Sequence, residues 1–193
     1  MSLVVNHDQK ARIESRLDFL INHDPENHLP TTSTLHLLCG MAGAGKTTLA
    51  KTLEDEFALV RLSPDEWIEP LLGSDQNRVE MDKLRSPVQE LQWQLALRLL
   101  QLGCSVVWEQ GVWQLTERNY YREQAQDMGA RVVLHYLDIS TATIKERLAN
   151  RNKNLPKGSF RVDPEEIDTW MSWFEKPEQT ELERYDEFHI YAD

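Results

Sequence analysis

One segment of eight residues constrains the fold of this chain more than any other. Residues 40–47 read GMAGAGKT, which fits the pattern G-x-x-x-x-G-K-[ST] without a substitution. The apolar segment LHLLC precedes it and KTTLAKTLEDEF follows it, which predicts a buried strand, a tight turn and a helix in that order. Such a unit belongs to α/β folds, so we expect a sheet with helices packed against it.

The same segment has the chemistry of a phosphate site. Glycines let successive backbone N–H groups point inward at phosphate oxygens, where side chains would collide. The following helix adds the positive end of its dipole. Lys46 can reach the β- and γ-phosphates of ATP, and Thr47 can ligate the Mg²⁺ that bridges them. A plain turn is the alternative, but it needs neither Lys nor Thr in register. The predicted nucleotide-binding residues are Gly40, Met41, Ala42, Gly43, Ala44, Gly45, Lys46, Thr47 and Thr48.

The remaining segments predict an α/β domain of three layers. Strand patterns recur at ALVRL, CSVVWE, ARVVLHYLD and EFHIYA, and helical patterns separate them. This alternation favours a parallel sheet of about five strands with right-handed crossovers and helices on both faces. The longest predicted helix covers residues 85–102. Its expected apolar stripe is Val88, Leu91, Leu95, Leu99 and Leu102.

Two segments lie outside this alternation. Residues 7–22 have helical amphipathic spacing, so we expect residues 1–30 to form a helical extension ahead of a main domain over residues 31–193. The segment NKNLPKGSFRV contains Pro, Gly and Asn and predicts an exposed loop. We expect a small lid over about residues 152–163.

The charge balance bears on the partner of the phosphate site. The chain has 32 acidic and 21 basic residues and a net charge of −11. Such a surface repels long polyanions, so a long nucleic acid is disfavoured, whereas a small phosphate-bearing ligand in a local basic pocket is compatible. The sequence has no long apolar run and no export pattern, which predicts a cytoplasmic protein without a membrane segment. Cys39 and Cys104 lie in apolar segments, and we expect two packed, reduced thiols.

Asp65, in the segment LSPDEW, is the candidate general base. It follows the second predicted strand, so in a parallel sheet it would emerge at the carboxyl edge beside the glycine loop. There it could accept or position the proton of an attacking hydroxyl. Ser63, Pro64 and Glu66 have the types and spacing of a helix capping box, which explains those three without chemistry and merely permits an acid at Asp65.

Three further side chains are candidates for handling charge. Glu109, at the end of VVWE, could hold Mg²⁺ through its water shell, although an ordinary polar residue at a strand exit is an equally good interpretation. Arg147 and Arg151 lie four apart and share a helix face, from which they could neutralise the transferring phosphoryl group. A solvated helix flank with Glu146 as a partner is the alternative.

Other polar and aromatic residues are candidates for contact with the second substrate. Arg118 and Arg122 could face it, but surface pairing with Glu117 or Glu123 is the favoured interpretation. Trp113, in the loop QGVWQ, could form a wall of the acceptor pocket.

Four segments together resemble a known family. The glycine loop, LSPDEW, VVWEQGVWQLTER and RLANRNKNLPKGSFRVDPEEIDTWMSWFE are similar to those of AAA-type P-loop kinase-like proteins, which are themselves similar to polynucleotide kinases, chloramphenicol phosphotransferase and zeta toxins. The resemblance covers residues 34–176 and implies the three-layer P-loop NTPase or kinase fold. Many relatives have an aspartate followed by Thr-Asn where this chain has Glu109-Gln110-Gly111.

The residues and the resemblance lead to one expected function. We expect a P-loop kinase that moves the γ-phosphoryl group of ATP·Mg²⁺ to a hydroxyl of a small molecule. The resemblance implies Lys46 as a phosphate contact, Asp65 as the acid that activates the acceptor, and Arg147 and Arg151 as lid arginines. Two alternatives stay open, namely a polynucleotide 5′-hydroxyl kinase and a nucleotide-dependent regulatory ATPase or switch.

Overall fold

The computed structural model describes residues 32–72, 78–155 and 160–193. Two predictions therefore fall wholly or partly outside the described residues. They are the helical extension over residues 1–30 and the expected lid, of which residues 156–159 are not described.

The described residues form alternating strands and helices along the chain. In order they are β1 (Thr34–Cys39), α1 (Lys46–Phe57), β2 (Val60–Leu62), α2 (Pro64–Leu72), α3 (Arg78–Gln101), β3 (Val106–Trp108), α4 (Leu115–Asp127), β4 (Arg131–Asp138), α5 (Thr141–Arg151), α6 (Glu166–Met171), α7 (Gln179–Leu182) and β5 (Glu187–Ala192).

The strands form one parallel sheet in the order β2-β3-β1-β4-β5. Leu37 of β1 lies opposite Trp108 of β3 on one side and Leu134 of β4 on the other. The central strand β1 is thus the switch point. From β1 the chain passes first to β2 and β3 on one side of it, and later to β4 and β5 on the other side. In open parallel sheets such a point opens a crevice at the carboxyl ends of the strands. The predicted five-stranded parallel sheet is confirmed.

Helices cover both faces of the sheet, which gives three layers. On one face Trp93 of α3 packs against Trp108 of β3, with ring centroids 5.5 Å apart, and against Tyr121 of α4 at 4.6 Å. On the other face Ala50 and Leu53 of α1 pack against the central strands. The two apolar cores fix the orientation of the loops that leave the carboxyl edge.

The apolar stripe predicted for the long helix is wrong in part. Val88 is buried as expected, but Leu91 is 61% exposed and Leu102 is 71% exposed. The helix instead turns Trp93 and Ala96 towards the sheet. The large ring of Trp93 sets this orientation, because its two aromatic contacts bury more apolar surface than a leucine could. The helix also begins at Arg78, seven residues before the predicted start.

The two cysteines differ, which corrects the prediction of two packed thiols. Cys39 is buried in β1, its Sγ–H donates to the Val112 carbonyl at 3.3 Å, and burial raises the pKa of its thiol to about 12. Cys104 is exposed, because it lies in the turn between α3 and β3 rather than within the strand. In the part of the chain that the structure describes, no helix is both long and apolar enough to cross a bilayer.

Candidate active site

The predicted catalytic side chains line one cleft at the carboxyl edge of the sheet. Its volume is about 1560 Å³. Small-molecule pockets usually measure about 300–1,000 Å³, so this cleft has room for a nucleotide and a second ligand. The predicted residues among its walls are Ala42, Gly43, Gly45, Lys46, Thr47, Thr48, Asp65, Glu109, Arg147 and Arg151.

The glycine loop joins the central strand β1 to α1. Gly43 and Gly45 have φ angles of 84° and 109°, which lie in the left-handed region that favours glycine. A Cβ atom on Gly43 would also come within 2.9 Å of the Leu148 Cγ atom of α5. The loop therefore needs glycine both for its backbone conformation and for its close approach to α5.

Lys46 opens α1 and folds back over the glycine loop. Its Nζ atom donates to the carbonyl of Gly40 at 3.0 Å and to that of Met41 at 2.8 Å. Burial lowers the pKa of Lys46 to about 8, while the negative charges of Glu109 and Asp65 oppose that shift. The ammonium is thus held at the mouth of the loop by two neutral acceptors.

Thr47 and Thr48 follow Lys46 in the first turn of α1, and both are exposed to the cleft. Among the described residues there is no cluster of three or more His, Cys, Asp or Glu side chains that could hold a metal ion. The donors present still suit Mg²⁺, which commonly keeps several waters and is held by one or two protein oxygens together with substrate phosphates. Thr47 can supply one such oxygen.

Glu109, the second predicted metal residue, lies at the exit of β3 and makes an ion pair with Arg61 of β2. The Nη1–Oε2 distance is 2.5 Å, and the Glu109 side chain is only 7% exposed. Arg61 also binds Glu54 at 3.0 Å and Glu66 at 2.7 Å. Burial disfavours its charge, but the hydrogen bonds to Glu66, Glu109 and Glu54 raise the pKa of Arg61 overall. One oxygen of Glu109 is therefore committed to Arg61, and its metal role stays a prediction.

The predicted capping box is wrong at Glu66. In a capping box its carboxylate would accept a hydrogen bond from the backbone N–H of Ser63. It binds the Arg61 guanidinium instead. Ser63 is buried before α2, and its carbonyl accepts a hydrogen bond from Gln92 of α3 at 3.1 Å. The start of α2 is thus fixed by contacts with β2 and α3.

Asp65, the predicted base, lies in the first turn of α2 and lines the cleft. Its Oδ1 atom accepts a hydrogen bond from Nη1 of Arg85 at 2.9 Å. The charge of Asp65 also raises the pKa values of Lys46 and Arg151 against the larger effect of burial. The carboxylate therefore lies in the same electrostatic neighbourhood as the glycine loop and α5.

Sequence reasoning missed Arg85. It belongs to α3 and is separated from Asp65 by twenty positions, with no motif that connects the two. Only the packing of α3 against α2 brings the guanidinium into the cleft.

Arg147 and Arg151 of α5 point to different partners. Nη1 of Arg147 donates to the Ala44 carbonyl of the glycine loop at 3.0 Å. Nη2 of Arg151 donates to the Phe160 carbonyl at 3.2 Å, and its buried Nε has no hydrogen-bond partner within the described ranges. Burial lowers the pKa of the Arg151 guanidinium, and Asp65 opposes that shift. Arg161 is exposed at the rim of the same cleft.

The loop after β3 contacts the glycine loop directly. Nε1 of Trp113 donates to the Gly40 carbonyl at 3.2 Å, and the Trp113 ring packs against Trp170 with centroids 5.6 Å apart. A Cβ atom on Gly111 would lie 2.6 Å from the Gly40 carbonyl oxygen and 3.0 Å from Cε of Lys46. Gly111 is a site residue that the sequence analysis did not select. Its only signal in the sequence is that many relatives have a Thr-Asn pair where this chain has Gln110-Gly111.

The predicted surface pairing of Arg118 is wrong. Arg118 is fully buried, and its Nε and Nη2 atoms donate to the two carboxylate oxygens of Glu181 at 2.6 and 2.8 Å. Its Nη1 atom also donates to the carbonyl of Trp113 at 2.9 Å. The reason is the docking of α7 on α4, which brings a buried acid to this face. Arg122 does pair with Glu123, at 3.0 Å.

The fold and the cleft define a class of protein. A parallel sheet whose central strand leads through a phosphate-binding glycine loop to Lys46 and Thr47 is that of a P-loop kinase-like protein. The chain belongs to the AAA domain family, whose model matches residues 35–177, well over half of the 193 residues. None of the curated protein sequences matches it.

Solved structures with the same fold include several kinases. A candidate kinase from Chloroflexus aurantiacus aligns with a TM-score of 0.66 and 17% identity, over 84% of this chain and 89% of that chain. A sugar kinase from Janibacter sp. aligns with a TM-score of 0.56 and 20% identity, over 83% and 85%. An APS kinase from Mycobacterium tuberculosis, in complex with AMPPNP and APS, aligns with a TM-score of 0.53 and 17% identity, over 83% and 90%. These likenesses show the fold.

Proposed function

We propose that this protein is an ATP-dependent phosphotransferase that moves the γ-phosphoryl group of ATP to a hydroxyl group of a small molecule. The observation that carries the proposal is the position of Asp65, a carboxylate in the same cleft as the glycine loop and tied by electrostatics to Lys46 and Arg151. Membership of the AAA domain family and the kinase folds above support nucleotide-dependent phosphoryl transfer in general.

The glycine loop would bind the phosphates of ATP. Its backbone N–H groups and the N-terminus of α1 favour negative charge at this point. Lys46 would exchange its two carbonyl acceptors for phosphate oxygens, which are charged and therefore form stronger hydrogen bonds. Thr47 would contribute an oxygen to Mg²⁺, which, when bound, neutralises charge on the β- and γ-phosphates. The donor would thus be held with its terminal phosphorus facing the cleft.

Asp65 would receive the proton of the acceptor hydroxyl as its oxygen attacks the γ-phosphorus. A positioned carboxylate of this kind contributes about 10²–10⁴-fold to the rate. Arg151 lines the same cleft, where its guanidinium would stabilise the negative charge of the transferring group. Arg147 already holds the glycine loop through Ala44 and would keep α5 beside the phosphates.

A phosphate-transfer screen with ATP tests the proposal. Wild-type protein is incubated with labelled ATP and a panel of sugars, nucleosides, hydroxy acids, antibiotics and short oligonucleotides, and labelled products are separated. Transfer to at least one small molecule is expected. Asp65→Asn should cut that transfer by about a hundredfold or more while leaving nucleotide affinity within about twofold.

A matched control lies on the same helix. Glu69 of α2 carries the same charge and does not line the cleft, so Glu69→Gln is expected to keep wild-type transfer. Unchanged transfer in Asp65→Asn would reduce this residue to a binding role. Transfer to oligonucleotides alone would replace the small-molecule proposal by a polynucleotide kinase, and turnover without any labelled acceptor would leave an ATPase.

A further inference from the structure

Arg85 has no role in the proposed reaction, yet its position suits contact with a bound ligand. Its guanidinium lies in the cleft on α3, bonded to the candidate base Asp65 at 2.9 Å. The Arg85 side chain is 36% exposed and that of Asp65 is 43% exposed, so both are accessible to a ligand. A cation bound directly to the proposed base would compete with the hydroxyl that the base must activate.

The hydrogen bonding of Arg85 is also incomplete. A guanidinium offers five N–H donors in a fixed planar fork. Among the described residues, Nη1 donates to Asp65 and Nη2 donates to the thioether sulfur of Met81 at 3.7 Å. Thioether sulfur is a weak acceptor, so the planar fork retains donors for a stronger one. Carboxylate and phosphate groups match that fork with two parallel hydrogen bonds.

The charges of the cleft favour an anion more than the protein surface does. The whole chain carries a net charge of −11, yet six basic side chains line this cleft beside five carboxylates. The basic residues are Lys46, Lys51, Arg85, Arg147, Arg151 and Arg161.

Besides Asp65, which binds Arg85, two of the five carboxylates are already engaged. Glu109 binds Arg61, and Glu117 accepts hydrogen bonds from the backbone N–H groups of Trp113 and Gln114. The lining as a whole therefore has one more basic than acidic side chain, in a chain whose net charge is −11.

We propose that the acceptor is a small organic anion, which carries a carboxylate or phosphate group in addition to the hydroxyl that is phosphorylated, and that Arg85 binds this anionic group. The inference rests on the proposed phosphotransferase function. Binding exchanges the Asp65–Arg85 ion pair for a pair between Arg85 and the acceptor. Ion pairs between half-exposed side chains contribute little to stability, so the exchange costs little. Asp65 is then released towards the hydroxyl.

The transfer step balances without a further reactant. The acceptor O–H bond breaks and its proton passes to Asp65, while the acceptor oxygen forms a bond to the γ-phosphorus. The bond between that phosphorus and the β,γ-bridging oxygen breaks, and ADP leaves. Because Arg85 holds Oδ1 of Asp65 until an anionic acceptor arrives, a neutral alcohol or water would meet a carboxylate whose charge is still paired.

Acceptors that differ in one charged group test the inference. Full-length protein is assayed with ATP·Mg²⁺ and the pairs D-gluconate and sorbitol, D-glycerate and glycerol, pantothenate and panthenol for the carboxylate arm. Glycerol 3-phosphate against glycerol, and nucleoside 3′-phosphates against nucleosides, form the phosphate arm. We expect a higher kcat/KM for the anionic member in at least one arm, and the arm that responds identifies the anion.

Variants of Arg85 connect the preference to this side chain. Arg85→Gln should raise KM for the anionic acceptor by about 10- to 100-fold, as expected for the loss of hydrogen bonds between charged groups, and should change kcat less. Arg85→Lys should retain part of the affinity, because it keeps the charge but loses the planar fork. Arg98→Gln, on the exposed side of the same helix, should behave as wild type.

The outcomes separate this inference from the proposed function. Asp65-dependent transfer that prefers neutral acceptors, or an Arg85→Gln variant that weakens charged and neutral acceptors equally, overturns the anion subsite and leaves the phosphotransferase standing. Preference for oligonucleotides over every small anion overturns the acceptor class. Absence of Asp65-dependent transfer to any alcohol overturns both.

Discussion

The guanidinium of Arg61 and the carboxylate of Glu109 form an ion pair beneath the cleft, with an N–O distance of 2.5 Å and both side chains at most 10% exposed. The same guanidinium binds Glu54 and Glu66, so it links β2 to α1, α2 and the exit of β3. Any role of Glu109 towards Mg²⁺ must therefore use its other oxygen, and Arg61 fixes the direction in which that oxygen points.

Removing Arg61 should destabilise the protein through Glu109. Arg61→Met leaves a nearly buried carboxylate without its partner, and breaking such a pair costs about 3 kcal/mol or more of unfolding free energy. Adding Glu109→Gln should recover part of that loss, because the unpaired charge is gone. Urea unfolding measures both. Arg131→Met, which breaks an exposed pair with Glu187, is the control and should cost less than about 1 kcal/mol. Equal losses of unfolding free energy in Arg61→Met and Arg131→Met would contradict the prediction.

Lys46 should make nucleotide binding depend on pH. Burial lowers its pKa to about 8, so a large fraction of the free protein has lost this proton above pH 8. Phosphate oxygens favour the ammonium form, and binding at pH 8–9 should therefore take up a substantial fraction of a proton. Isothermal titration in two buffers of different ionisation enthalpy measures this uptake. Lys46→Met should abolish it and weaken binding strongly.

The same group has a defined effect on the stability of the free protein. Its pKa in the folded state lies below the ordinary value of 10.5, so between about pH 8 and pH 10.5 the unfolded chain holds more protons at this position. The contribution of Lys46 to stability should therefore increase as the pH rises through that window. A wild-type protein and a Lys46→Met variant with identical pH profiles would show that the site does not titrate there.

Gly111 should be intolerant of any side chain. In Gly111→Ala the new methyl group would meet the Gly40 carbonyl oxygen at 2.6 Å, so the glycine loop must shift. Displacement of a reacting group by about 1 Å can cost about a hundredfold in rate, and we expect a loss of that order in turnover. Gly129→Ala is the control. Its methyl meets no atom within 4 Å, so its φ of 79° should cost stability while nucleotide affinity stays unchanged.

Arg151 should contribute more to turnover than to binding. Its guanidinium lines the cleft on α5, from which it could stabilise charge that develops on the transferring phosphoryl group. Arg151→Ala should lower kcat by about a hundredfold and change nucleotide affinity much less. Lys145→Ala removes a charge from the same helix, where Lys145 pairs with Asp168, and should leave both quantities unchanged. Equal losses in kcat and affinity for Arg151→Ala would indicate simple binding.

The sheet could be predicted because each strand carries its own local signal. Strand β5 (Glu187–Ala192) begins and ends where the pattern EFHIYA predicts, and α1 (Lys46–Phe57) follows the glycine loop as the motif requires. The face of α3 could not be predicted, since its leucines and Trp93 compete for the same sheet surface. Only the ring contacts across the interface, formed by residues distant in sequence, decide which side is buried.

The candidate site likewise contains some residues that local sequence predicts and others that only the packing of the chain brings together. Lys46, Thr47 and Asp65 could be proposed because each follows a strand end or a short motif along the chain. Arg85 enters the cleft only through the packing of α3, and Arg118 meets Glu181 across 63 positions. Such long-range partners leave no spacing that a single sequence can reveal, and for this reason the surface pairing predicted for Arg118 was wrong.

The indole of Trp113 gives the protein a built-in optical signal. Its N–H group holds the Gly40 carbonyl, which Lys46 also contacts, and its ring lies against Trp170. A ligand that draws the lysine away from this carbonyl changes the surroundings of the ring, and tryptophan emission is sensitive to such changes. Nucleotide capture can therefore be followed by intrinsic fluorescence without a label, with Trp113→Phe to identify the emitting ring against the buried Trp93 and Trp108.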